Sequence, residues 1–359
     1  MVNKMSKIKL AVIFGGKSSE YSVSLHSASS AIRNMDREKY DLTFVGITKD
    51  GKWYYCPDNV DAIEHDHWQN LPGVCEVVLS CSQAQQGFLK LYDDGTYDVL
   101  KVDCIFPILH GKNGEDGTIQ GLFALAGIPF VGCDHLSSAI SMDKDYTHII
   151  CEAAGIPMAP YLCVINTKDL DYQKVYQQVE EKLSFPVFIK PANAGSSYGI
   201  SKIRNYEEFE RGLKLAFEHD RKVILETGID GFEVGTAVMG NEDIFVGAVD
   251  EIETHKDFFD FAAKYDLDAT TIHCPARIST EKRDEIRAMA KTIYHALGCQ
   301  GLTRVDLFLT PDGNIYFNEV NTIPGFTSAS RYPSMMKEAG ISFPELIDRL
   351  VALAMERTR

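Results

Sequence analysis

Residues 302–321 read LTRVDLFLTPDGNIYFNEVN, two alternating runs of apolar and polar side chains around the turn Pro311-Asp312-Gly313-Asn314. That pattern predicts a β-hairpin. Side chains alternate across a strand, so Arg304 and Asp306 share a face, as do Glu319 and Asn321. A four-residue loop pairs Thr310 with Ile315 and sets Asp306 opposite Glu319. Two carboxylates that close repel unless a cation lies between them. Asp306, Glu319 and the Asn321 amide are oxygen donors only, which suits Mg²⁺ with waters or phosphate oxygens completing its shell. An exposed polar face is the plainer reading, but Arg304 beside the acids, on otherwise apolar strands, favours a metal and anion site.

Working outward, Phe188-Ile189-Lys190-Pro191 runs into Ala194-Gly195-Ser196-Ser197-Tyr198-Gly199. A strand ends in a lysine and enters a loop of small residues whose backbone N–H groups can approach phosphates. It is not a Walker A sequence, and a strand follows it. Alone it is a tight turn; beside the carboxylate hairpin, ATP with Mg²⁺ is the economical explanation. Lys144 offers a second cation, and Glu226, at a strand end, an acceptor for adenine or ribose. Gly15-Gly16-Lys17-Ser18-Ser19-Glu20 follows the first strand without a dinucleotide fingerprint, and places Glu20 over the carboxyl ends of the sheet. His110-Gly111-Lys112-Asn113-Gly114-Glu115 also follows a strand, with His110 as a hydrogen-bonding group. His65 and His67 read as solvated.

The chain has 359 residues, more than one hydrophobic core accommodates, so two or three domains are expected. Lys plus Arg total 36 against 51 Asp plus Glu, a net charge of −15 that disfavours nucleic acid and acidic membranes. No apolar run approaches the ~20 residues of a membrane span, and Leu10–Phe14 is too short for a secretory core. Nine scattered cysteines give neither a disulfide framework nor a zinc site, and a cytoplasmic enzyme is expected. The first unit, 1–139, reads as α/β: strands over Lys7–Phe14, Tyr40–Ile47 and Lys101–Leu109, helices over Ser24–Asn34 and Thr118–Ala126, and loops with short edge strands over 50–95. The second, 140–231, carries helices Asp171–Leu183 and Tyr206–His219 between short strands. The third, 232–359, opens with a hairpin, continues through a polar and aromatic segment 253–275, and ends in helices over Glu281–Leu297 and from Ser342.

Six stretches in order, GGKSSEYSVS (15–24), HGKNGEDGTIQG (110–121), FIKPANAGSSYG (188–199), GFEVG (231–235), TRVDLF (303–308) and FNEVNTIPGFTS (317–328), resemble the D-alanine–D-alanine ligase family, a branch of the ATP-grasp enzymes. The resemblance covers almost the whole chain. It implies an α/β protein, α+β in its central and C-terminal parts: an N-terminal open α/β sheet domain followed by two ATP-grasp subdomains. It also implies an ATP-dependent carbon–nitrogen ligase. ATP phosphorylates a D-alanine carboxylate, the amine of a second D-amino acid attacks the acyl phosphate, and phosphate leaves. By matching motifs, Lys144, Lys190 and Ser197 meet the ATP phosphates, while Glu226 and Glu233 hold adenine and ribose. Asp306, Glu319 and Asn321 bind two Mg²⁺ ions, or Mn²⁺. Arg304 and the Gly325 N–H serve the oxyanion, and Ser330 joins the catalytic set. Glu20, supported by Ser196 and Tyr265, receives the first D-alanine ammonium, with His110 near. Lys264 belongs to the 253–275 lid. A homodimer is the family's habit.

The departures concern the second substrate. The lid reads Phe258-Phe259-Asp260-Phe261 where the family tends to Phe-Tyr-Asp-Tyr, and Ser330-Arg331-Tyr332-Pro333 stands where it tends to Leu or Met. Both resemble the vancomycin-resistance ligases of the D-Ala–D-Ser type. An arginine in the acceptor pocket gives a D-serine hydroxyl donors that a methyl group cannot use. Lys264-Tyr265 favours an amine acceptor over D-lactate. The alternative is a housekeeping D-Ala–D-Ala ligase. An oxidoreductase lacks its fingerprint, and an inactive ATP sensor would be expected to have lost a metal ligand or Arg304.

Overall fold

The computed structural model describes residues 6–195, 198–254 and 270–357. Its first sheet grows from β1 (Ile8–Gly15), an apolar run with no exposed residue from Leu10 to Gly15. After α1 (Tyr21–Asn34) the chain returns as β2 (Tyr40–Ile47), parallel to β1. Strands β3 (Trp53–Cys56), β4 (Cys75–Leu79), β5 (Gly87–Leu91) and β6 (Tyr97–Lys101) extend the sheet antiparallel, with α2 (Val60–Glu64) between. At four or five residues each, they are too short for periodicity to announce them. The strand expected over Lys101–Leu109 is in fact two. Asp103 exchanges backbone and side-chain hydrogen bonds with Lys9, so the chain turns there and β7 (Cys104–Ile108) joins the far edge of β1. The order is β6-β5-β4-β3-β2-β1-β7. Helix α3 (Thr118–Ala126) ends at Gly127 in the left-handed conformation, as the glycine signal predicts.

Two short helices follow, α4 (His135–Met142) and α5 (Lys144–Ala153), each with an aspartate whose side chain accepts a first-turn N–H, Asp134 and Asp143. The second sheet is antiparallel, β10-β9-β11-β8: β8 (Tyr161–Ile165), β9 (Val187–Pro191), β10 (Ser201–Ile203) and β11 (Lys222–Thr227). Helices α6 (Tyr172–Lys182) and α7 (Tyr206–His219) belong to the same segment, and α7 buries Phe209, Leu213 and Ala216 on one stripe.

The third sheet has the order β14-β13-β12-β15-β16 among the described residues. Its strands are β12 (Phe232–Gly240), β13 (Phe245–Thr254), β14 (Thr270–His273), β15 (Gly301–Leu309) and β16 (Ile315–Asn321). Helices α8 (Thr280–Ala296), α9 (Arg331–Glu338) and α10 (Phe343–Glu356) pack with it. The hairpin register corrects the expectation. Leu309, not Thr310, pairs with Ile315, so a regular ladder would set Asp306 against Asn318. A bulge at Asn318 absorbs one residue and restores Asp306 opposite Glu319. No helix of the described residues is long and apolar enough to cross a membrane.

Candidate functional site

Two cavities adjoin along the third sheet, one facing the second sheet and the other facing the N-terminal unit. The larger, about 460 Å³, is lined by Lys144, Lys190, Glu226, Phe317 and Glu319; the smaller, about 290 Å³, by Glu20, His110, Arg304, Asn321, Gly325 and Arg331. Glu233 and Ile252 line both. The hairpin thus stands in the partition, with Glu319 on one side and Asn321 on the other.

The larger cavity holds its charges in fixed pairs. Lys190 at the end of β9 reaches Glu226 on the neighbouring β11, because the antiparallel ladder brings these strands together. His148 Nε2 lies 2.8 Å from the other Glu226 oxygen. Burial would raise the Glu226 carboxyl, but Lys190 and His148 hold it down at about 2. The Lys144 ammonium donates to the Ala194 carbonyl at 2.7 Å, tying the start of α5 to the small-residue loop.

Partition chemistry centres on Asp306, which is 1% exposed. Arg304 donates to it through Nε at 2.8 Å and Nη2 at 2.7 Å, and the Asn321 amide donates at 2.9 Å. Arg331 projects from the first residue of α9 into the same cluster. Its Nε and Nη2 donate to Asp250 at 2.7 and 2.8 Å, its Nη1 to Glu233 at 2.8 Å, and Nη2 stands 3.3 Å from Asp306. Four of its N–H bonds thus face carboxylates, leaving one on Nη1 for a ligand. Gly235 makes the arrangement possible: a Cβ there would lie 2.3 Å from Arg331 Nη2. Since guanidinium groups neutralise Asp306, the carboxylate pair does not by itself demand a metal. The donor set still fits a hard dication, with two carboxylates and an amide oxygen at the seam of the cavities. Among the described residues no three His, Cys, Asp or Glu side chains gather as a metal cluster. An ion here would draw further ligands from water or phosphate.

In the smaller cavity His110 is buried. Its Nδ1 lies 2.8 Å from the Ile323 carbonyl and its Nε2 3.2 Å from Ser27 Oγ, and burial lowers its pKa. Glu20 closes the N-terminal end of the cavity, beside Gly111 and Gly195, where a Cβ would sit 2.4 and 3.2 Å from its Oε2. The Ser330 hydroxyl accepts from Thr327 N at 3.0 Å, closing the loop that carries Gly325. Glu115 was missed in sequence. Its carboxylate accepts from Gly111 N at 2.9 Å and Ile323 N at 2.8 Å, and burial, then Glu20, pushes it up to about 8. Asp250 and His148 were missed as well: Asp250 reads as an ordinary member of a strand, and the short helix that carries His148 gives no signal of its own. Ser196, Ser197, Phe259, Lys264 and Tyr265 lie outside the described residues, as does most of the expected lid.

Comparison with known proteins gives concordant results. Residues 9–133 match the family model described as D-ala D-ala ligase N-terminus, and residues 150–352 match that of the D-ala D-ala ligase C-terminus. The chain is 44% identical to a D-alanine–D-alanine ligase of Acetivibrio thermocellus, covering 98% of this chain and 96% of that one. It is equally 44% identical to the vancomycin/teicoplanin A-type resistance protein VanA of Enterococcus faecium, over 98% and 100%. Among solved structures, the VanG D-Ala:D-Ser ligase of Enterococcus faecalis superposes with a TM-score of 0.90 at 48% identity, over 97% and 100%.

Proposed function

Since the chain belongs to the D-alanine–D-alanine ligase family, a family of ATP-dependent ligases with the ATP-grasp fold, we propose that it joins D-alanine to D-serine through an acyl phosphate, in the cytoplasm and as a homodimer. The observation that carries this is the shared wall of the two cavities. One side presents lysines for phosphates; the other presents Arg304, and Glu20 for an ammonium. ATP in the larger cavity puts its terminal phosphate toward the partition, and the D-alanine carboxylate meets it from the smaller one. Mg²⁺ held by Asp306, Glu319 and Asn321 would neutralise charge on the transferring phosphoryl group. Arg304 and the Gly325 N–H face the oxygen that gains charge when the amine attacks, where fixed donors act most strongly.

D-Serine is preferred because Arg331 is immobilised by Asp250, Glu233 and Asp306 with one Nη1 hydrogen left over. A hydroxyl can accept that hydrogen, whereas a methyl group leaves it unpaired at a cost of about 1–3 kcal/mol. The same protein family supports a second reading, a housekeeping D-Ala–D-Ala ligase, since identity to VanA and to a D-Ala–D-Ala ligase is the same. Measuring ADP release with D-alanine alone and with D-alanine plus D-serine, then identifying the dipeptides, separates the two. D-Ala–D-Ala formed with the higher kcat/KM at neutral pH overturns the D-serine assignment.

A further inference from the structure

Behind the wall of the larger cavity stands His148, 2% exposed and one helical turn after Lys144 on α5. Its ring packs against Tyr161 and Phe317, with centroids 4.7 and 5.9 Å away. Nδ1 lies 2.5 Å from the Lys144 carbonyl oxygen, and Nε2 lies 2.8 Å from Oε1 of Glu226. Both partners are acceptors: a carbonyl, and a carboxylate held ionised. Both ring nitrogens therefore face oxygen atoms, which pins the ring and presents Nε2 to the carboxylate. The second Glu226 oxygen takes Lys190. Three of the groups His148 touches, Lys144, Glu226 and Phe317, line the cavity.

We propose that His148 is a positioning residue that sets the choice of purine, by fixing the Glu226 carboxylate as the acceptor for an exocyclic amino group on the base. The proposal rests on the reading that the larger cavity takes ATP. Lys190 serves two masters there, because the nucleotide's phosphates draw its ammonium away from Glu226. His148 then remains the side chain that keeps the carboxylate aimed, and through the Lys144 carbonyl it joins the base end of the cavity to the phosphate end. A 6-amino purine donates to that carboxylate. A 6-oxo purine sets acceptor against acceptor and is rejected.

The test is steady-state kinetics with ATP and with inosine triphosphate, D-alanine and D-serine saturating, on the wild type, His148→Gln and His148→Lys. In His148→Gln, KM for ATP should rise about tenfold, with kcat and the D-alanine KM within about twofold. The inosine nucleotide should be nearly unaffected, so ATP preference falls by about the same factor as KM rises. His148→Lys, which places an ammonium donor beside Glu226, should recover most of that preference. It also stands in if the glutamine variant fails to fold by circular dichroism, since a lysine variant with the glutamine's predicted loss would contradict the positioning argument. If both nucleotides weaken together, or neither does, His148 is a wall support and the inference falls. A wild type that releases no ADP in the presence of D-alanine overturns the ligase reading instead, so the two failures are distinguishable.

Discussion

At Gly235 the lack of a side chain decides the chemistry. An alanine methyl there would sit 2.3 Å from Arg331 Nη2 and 2.9 Å from both Asp250 Oδ1 and Asp306 Oδ1. Gly235→Ala should therefore split the ion cluster and leave buried charges unpaired, a loss of about 3–5 kcal/mol in urea unfolding with ligation lost alongside. A wild-type urea midpoint would contradict this packing. Glu115 gives a prediction in pH. Its folded pKa is about 8 against an ordinary 4.5, so between those values the unfolded chain releases a proton that the folded chain keeps. This group's contribution to stability therefore falls as pH rises through that window. Glu115→Gln should melt lower at pH 5, by about 1 kcal/mol for the hydrogen bond it loses. The gap should close and then reverse towards pH 9, leaving the glutamine variant the more stable, because glutamine has no proton to lose; a gap that widens refutes the assignment. Arg331 was legible in sequence as a departure from a motif. Its partner Asp250, in the middle of an apolar strand, and the 208-residue reach from Glu115 to Ile323 were not, because only tertiary pairing creates them.

Among elements, those with strong local signals were the legible ones. Thr118–Ala126 and Tyr206–His219 form as helices at the expected residues, and Ser342 caps its helix by accepting from Glu345 N. The hairpin's functional pairing was read correctly through a register one residue out, because a bulge is invisible to alternation counting. Helices α4, α5 and α9 escaped notice: each is ten residues or fewer, and polar residues interrupt its apolar stripe. Helix α5 carries an element-scale prediction. Asp143 accepts from Tyr146 N at 3.3 Å at its N-terminus and meets Lys222 at 2.7 Å, which fixes where Lys144 begins the helix. Asp143→Ala should cost about 1 kcal/mol for the cap, and more for the lost ion pair. The ATP KM should rise several-fold while the D-alanine KM holds, since the smaller cavity is untouched. An unchanged ATP KM would show that the cap does not place Lys144.

For the whole molecule, the three units read from sequence do not correspond to three hydrophobic cores. One core runs from Leu10, Phe14 and Phe106 of the first sheet to Ala237, Leu302 and Leu350 of the C-terminal region. Polar contacts reinforce it: Tyr40 and Lys39 both donate to Asp348 on α10, and Arg357 donates to the Gly132 carbonyl at 2.8 Å. The core beneath the second sheet, by contrast, draws only on that segment, with Val179, Ile189, Phe209 and Val223 at its centre. Alternation and helical spacing reveal which face of an element is buried but not which partner buries it, so this fusion was not readable along the chain. Cooperative unfolding follows shared cores rather than chain order. We therefore expect calorimetry to show two transitions, one for residues of the first and third sheets together and one for the second sheet. Because Lys190 and Glu226 sit on the second sheet, a non-hydrolysable ATP analogue should raise that transition, and it can raise the other only through the shared cavity wall. Limited proteolysis followed by mass spectrometry should then cut first within 161–227. Cleavage that instead releases an intact N-terminal fragment, melting by itself, would show that the common core does not bind the outer sheets into one folding unit.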